Sequence, residues 1–166
     1  MGGLVSVTDE LLGNNARYAR RFGGPGSFWP AKGVAVIACM DARLDVYAIL
    51  GLRAGEAHVI RNAGGVVTDG EIRSLAISQR VLGTREIILI HHTDCGMMKI
   101  TDEQFRRALL DATGMKPTWA VEAFEDLEED VRQSKARIAT SPFIPHKHAI
   151  RGFVFDLATG KLNEVV

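Results

Sequence analysis

Val34-Ala35-Val36-Ile37-Ala38-Cys39-Met40-Asp41-Ala42-Arg43 decides the fold. Its first six residues are continuously apolar and rich in β-branched side chains, without the alternation of a strand that has one face in water. That pattern marks a strand covered on both faces, as in a parallel sheet flanked by helices. Two further segments share it, Ala57 to Arg61 and Glu86 to His91. Helical spacing lies between and around them. Asp45 to Leu50 separates the first pair, and Glu71 to Leu82 separates the second, with Ile72, Leu75, Ala76 and Leu82 on one side. The resulting β-α-β-α-β order predicts an α/β fold whose central sheet is mainly parallel, doubly wound, and flanked by helices.

Working outward, Ser6 and Asp9 are spaced as a capping box. Val7, Leu11, Tyr18 and Phe22 then recur at helical spacing, predicting an amphipathic helix over 7–20 with one stripe buried. Gly23-Gly24-Pro25-Gly26 through Pro30 is a connector within one domain spanning 1–166. After Cys95, helices are expected over Asp102 to Ala112 and Glu122 to Ala139, the latter carrying a Phe124, Leu127, Val131, Ile138 stripe. A strand from Gly152 to Leu157, a turn at Ala158-Thr159-Gly160-Lys161 and a strand from Leu162 to Val165 make a C-terminal hairpin.

The 166 residues are 46% hydrophobic and 24% charged, a composition able to bury a core and unlike that of a disordered chain. Twenty Lys+Arg balance twenty Asp+Glu, and no long basic run provides a footprint for nucleic acid. The apolar runs fall far short of the ~20 residues that span a bilayer. No secretory signal is visible at the N-terminus, so a cytoplasmic location is expected and no membrane partner. Met1-Gly2-Gly3-Leu4-Val5-Ser6 matches the short N-myristoylation pattern, which a single chain makes a marginal anchor at most.

Cys39 and Cys95 are the only cysteines. Cys39 ends the first parallel strand, while His92 and Cys95 follow the end of the third. In a doubly wound sheet the chain places its second strand on one side of the first and its third on the other, opening a crevice above the carboxyl ends of strands one and three. Two thiolates and an imidazole meeting there suit Zn²⁺, and three protein ligands leave a fourth position of the kind catalysis uses. Asp41 can take that position in a closed state, or accept a hydrogen bond from hydroxide held on the zinc. Arg43 can clamp the Asp41 carboxylate away from the metal. Burial as two small hydrophobes is the plainer account of the cysteines. Against it stands the placement of both half-motifs at strand ends.

Together Cys39-Met40-Asp41-Ala42-Arg43, Arg61-Asn62-Ala63-Gly64-Gly65 and His92-Thr93-Asp94-Cys95-Gly96 resemble, in order, the signature segments of the β-class carbonic anhydrases, in their short prokaryotic branch. The resemblance runs from about Val34 to the final hairpin. It implies reversible hydration of carbon dioxide to bicarbonate and a proton, a zinc held at Cys39, His92 and Cys95, an Asp41–Arg43 pair, and a backbone N–H at Gly96 that helps to hold the substrate. It also implies a homodimer or homotetramer with the N-terminal helix reaching over a partner. A pocket glutamine of longer members has no counterpart placed in this chain. Two other readings fit the same residues: a carbonyl sulfide or carbon disulfide hydrolase on the same scaffold, and a non-catalytic zinc-stabilised binding protein in which Asp41 closes the site.

Other residues fit plainer roles. His91 points to the opposite face from His92 and is expected to be a packed or hydrogen-bonded neighbour. His58 reads as structural, and His146-Lys147-His148 as a mobile surface loop. Gly64-Gly65 lacks a phosphate-binding pattern, so close backbone packing beside the zinc site explains it better. Met97-Met98 reads as core or pocket lining.

Overall fold

The computed structural model describes residues 6–166, so all but Ser6 of the myristoylation match lies outside the described residues. Among the described residues five strands form one sheet in the order β2-β1-β3-β4-β5: β1 Val34–Cys39, β2 Ala57–Asn62, β3 Glu86–His92, β4 Ile150–Asp156 and β5 Lys161–Val165. The first four are parallel and β5 returns antiparallel as the expected hairpin. The chain thus moves from β1 to one side for β2 and to the other for β3. That reversal leaves the carboxyl ends of β1 and β3 adjacent, with Ala38 level with Ile90.

Every residue of β1 is buried, and β3 is covered from Ile87 onward except for half-buried Ile88. β2 departs from the expected two-sided burial, for only Ala57 is fully buried. It is the edge strand, with one neighbour instead of two, and its apolar run marks strand character more than cover.

The helices are α1 Val7–Ala19, α2 Val46–Leu50, α3 Asp69–Arg80, α4 Asp102–Thr113 and α5 Leu127–Thr140. Capping chemistry sets most of their starts. Ser6 and Asp9 form the reciprocal box of α1, and Thr68 with Glu71 forms that of α3, which therefore begins two residues before Glu71. α5 begins at Leu127, capped by Asp126, and not at Glu122 as the stripe suggests. Glu122 has a left-handed φ of 60°, incompatible with a helical turn. Phe124 still joins the core beside Leu127.

Apolar side chains on the two faces of the sheet form separate clusters. One contains Val36, Ala38, Cys39, Leu44, Ile90 and Cys95, so the cysteines sit at the edge of a packed core. The other contains Ala35, Ile37, Leu75, Ile87, Leu89 and Ile138, beneath α3 and α5. At Gly152 the helix α5 crosses β4 so closely that an added Cβ would collide with Val131. The stripe of α1 behaves otherwise: no residue of that helix is buried. Within one chain the expectation of a covered stripe is therefore not met, because among the described residues no other element lies against it closely enough to exclude water.

Candidate metal centre

Cys39 is the last residue of β1 and His92 the last of β3, while Cys95 caps the 3₁₀ turn Gly96–Lys99. Parallel pairing of β1 with β3 brings them together. One donor atom from each of Cys39, His92 and Cys95 lies within 4.8 Å of the other two, and all three residues are buried. The sulfurs are 3.9 Å apart. Two thiolates on one tetrahedral zinc, each about 2.3 Å from it, stand about 3.7 Å apart. The pair is already at that spacing.

The imidazole supplies the strongest test of fit. His92 Nδ1 lies 2.9 Å from the carbonyl oxygen of Thr93, to which it must donate, and this leaves the lone pair on Nε2. Nε2 is buried and has no hydrogen-bond partner. A buried acceptor left bare is costly, and beside two sulfurs its natural partner is a cation. The donor set therefore fits zinc.

Charge is arranged to match. Hydrogen bonding from Cys95 draws the Cys39 thiol down to about 4 against the opposing effect of burial, while the same bond and the Cys39 charge push Cys95 up. Cys39 is thus the sulfur that ionises more readily, and a metal held by both sulfurs would displace the protons they carry. Burial disfavours the charged form of His92, but the Cys39 thiolate, the Thr93 carbonyl and the Asp41 carboxylate together outweigh it and raise the imidazole.

Above the sulfurs, Asp41 is gripped by Arg43. Nε and Nη2 donate to the two carboxylate oxygens at 2.9 and 2.7 Å, and the Arg43 backbone N–H donates to Oδ1 at 2.9 Å. The fork holds the Asp41 carboxyl well below the usual carboxylate range. Its Oδ2 stands 3.7 Å from His92 Nε2, so Asp41 overlooks the donor cluster without joining it.

The sequence reading missed three neighbours. Arg61 donates to the carbonyl oxygens of Cys39 at 2.7 and 3.0 Å and of Asp41 at 2.7 Å, tying the loop that follows β1 to β2. Asp94 accepts from Arg43 Nη1 at 3.0 Å and from Lys99 Nζ at 2.6 Å. Both Arg61 and Asp94 lie inside the quoted segments, where a charged residue beside a ligand was the available signal. Asp130, 39 residues from His91, gave none.

His91 is buried with Nε2 2.6 Å from Asp130, the hydrogen-bonded neighbour expected of it. His58 bonds Ser78 at 2.7 Å. The surface-loop expectation for His146 needs correcting, since Gln79 clasps its backbone N–H and C=O at 2.9 and 3.0 Å. Gly65 has φ of +76°, and a Cβ there would lie 2.8 Å from Cys39 N and 2.9 Å from Ile90 O. Gly65 is thus in close backbone packing against β1 and β3, whereas Gly64 lies against the side chains of Phe124, Val66 and Met97. Met97 is half-buried against the core, Met98 is exposed, and space is open around the Cα of Gly96.

A parallel α/β sheet that assembles a Cys-His-Cys cluster at its switch point defines a zinc-binding α/β protein. Comparison with known proteins narrows the class. The family profile of carbonic anhydrases matches residues 34–162. The β-carbonic anhydrase 1 of Mycobacterium tuberculosis is 63% identical over 161 residues, covering 97% of this chain and 99% of that one. A crystal structure of carbonic anhydrase from Streptococcus mutans superposes with a TM-score of 0.91 at 40% identity, covering 98% and 99% of the two chains. A carbon disulfide hydrolase of Acidithiobacillus thiooxidans is 36% identical, over 77% of this chain and 74% of its own.

The chain belongs to the carbonic anhydrase family, in its β class. It is a zinc-dependent carbonate dehydratase, interconverting carbon dioxide with bicarbonate and a proton.

Proposed function

We propose that Cys39, His92 and Cys95 hold the zinc, that Asp41 and Arg43 form the catalytic pair, and that the Gly96 N–H helps to bind the substrate. The bare, buried Nε2 of His92 beside two sulfurs 3.9 Å apart carries the ligand assignment. Zinc, when bound, acidifies a water to supply hydroxide, and two thiolates, donating more charge than imidazoles, set that ionisation above the ~7 of a three-histidine zinc. Asp41 orients the nucleophile by accepting its hydrogen bond. Arg43 fixes the carboxylate so that its free lone pair faces the cluster, and so keeps Asp41 from closing the site. Gly96 opens a short turn in which the Met98 N–H is already donated to the Cys95 carbonyl at 3.2 Å, so its own N–H is the one that would meet an oxygen of the substrate.

Metal content and hydration rate measured on one sample test this assignment. About one zinc per chain is expected, with the rate rising from pH 6 to 9. Asp41 adds no inflection in that window, because Arg43 holds it ionised throughout. A flat profile, or one falling toward alkaline pH with zinc retained, overturns the mechanism. Carbon disulfide and carbonyl sulfide offered to the same sample should turn over far more slowly than carbon dioxide.

The chain acts in this reading as one domain over 1–166, with residues 7–20 as an arm. Leu11, Tyr18 and Phe22 are 58, 61 and 54% exposed, an apolar stripe that a second copy would cover, and β2 is an edge strand of the sheet, open to pairing. A homodimer or homotetramer follows, in the cytoplasm, where a reducing environment preserves two free cysteines. Leu11→Asp with Tyr18→Asp should shift the sedimenting mass toward that of one chain. A single-chain mass for the unsubstituted protein would exclude the assembly.

A further inference from the structure

We propose that Asp94 is a positioning residue for the reaction, holding the Arg43 guanidinium in the plane that grips Asp41. The inference rests on the Asp41–Arg43 assignment above. Arg43 has five side-chain N–H groups, and the two that face Asp41 fix only one edge of the fork. The other edge is free to tilt unless something holds it. Asp94 Oδ2 takes Nη1 at 3.0 Å and the Asp94 carbonyl oxygen takes Nη2 at 3.1 Å. The guanidinium is therefore bound along both edges, with a carboxylate on either side.

Three features suit Asp94 to that task. It precedes Cys95 directly, so Arg43 bridges the loop that follows β1 and the loop that follows β3. Lys99 Nζ holds its second oxygen at 2.6 Å, which turns Oδ2 toward Arg43. Its backbone has φ of 56°, a left-handed conformation that Asp tolerates better than most side chains and that aims the carboxylate out of the ligand turn. Asp94 reaches no donor of the Cys-His-Cys cluster among its hydrogen bonds; it acts through Arg43 alone.

The same φ selects the variants. Asp94→Gly removes the carboxylate from a backbone that glycine adopts freely, and Asp94→Asn keeps an acceptor for Nη1 while removing the charge. Each is combined with Arg43→Ala in a double-mutant cycle read by kcat, KM and zinc content. Asp94→Gly is expected to lower kcat about tenfold with KM nearly unchanged and zinc retained, a charge-assisted bond being lost. Asp94→Asn should lower it only about threefold, since the neutral acceptor remains. In the Arg43→Ala background either change should cost less than about twofold, because a residue acting through Arg43 has nothing left to act on.

A readout independent of turnover comes from cobalt put in place of zinc. The visible absorption of the cobalt-loaded Asp94→Gly protein should move toward that of Arg43→Ala, both variants releasing Asp41 toward the metal. Full activity of Asp94→Gly, an equal loss in both backgrounds, or an unmoved cobalt spectrum overturns the role of Asp94. If Asp94→Gly sheds zinc, Asp94→Asn carries the cycle, and equal losses in both backgrounds again overturn it. Full activity of Arg43→Ala instead removes the catalytic pair itself, and the inference with it.

Discussion

Replacing Cys95 by serine is expected to abolish zinc binding and carbon dioxide hydration together, leaving less than about 1% of the rate. A serine hydroxyl does not ionise near neutral pH, so it offers the metal no anionic donor. Cys39 would lose its neighbour as well, and that bond is the largest influence favouring the Cys39 thiolate. The site is buried and cannot recruit a substitute sulfur, there being no third cysteine in the chain. Elemental analysis beside a hydration assay reads both quantities. Zinc retained at one per chain in the variant would exclude Cys95 as a ligand.

Gly65→Ala should produce the other large effect, this time on stability. The new methyl would press on Cys39 N and Ile90 O, backbone atoms at the ends of the two central strands. Neither can retreat without opening the pairing between β1 and β3. A left-handed φ of +76° adds a penalty that only glycine avoids. The two together should cost about 3 kcal/mol or more, against the ~5–15 kcal/mol by which domains are stable. Gly96→Ala is the control, because an added Cβ there meets open space and φ is not left-handed. Chemical denaturation of the zinc-loaded proteins should separate the two variants widely; similar midpoints would remove the close-packing account of Gly65.

Much of this architecture was legible because single physical causes write single patterns. Continuous apolar runs located β1 and β3, and the end of each run located Cys39 and His92, since a residue at a strand terminus needs no long-range information. The Ser6–Asp9 box located the start of α1 for the same reason. Partners chosen across space left no such mark. Asp94 and Asp130 are ordinary acidic residues until the fold sets them beside Arg43 and His91. The start of α5 was misread because Phe124 continues the apolar stripe of the helix from outside it, reaching the core through the turn at Glu122. The stripe of α1 was read from its apolar spacing as buried, yet no residue of that helix is buried within the chain, because spacing marks an apolar face without saying what lies against it.

The turn that carries Cys95 is fastened by residues made much later in the chain. Thr93 N–H donates to the Phe155 carbonyl at 3.0 Å, and the Leu157 N–H donates to Thr93 Oγ1 at 3.0 Å. The turn that carries Cys95 is thus fastened by residues synthesised about sixty positions later. At ~5–20 residues per second, a ribosome takes several seconds to cover that distance. Throughout that interval β3 lacks its neighbour β4 and the loop lacks its two ties, while Cys39 and Cys95 already exist as thiols. The ties that hold the Cys95 turn are therefore complete only once β4 has been made and paired with β3.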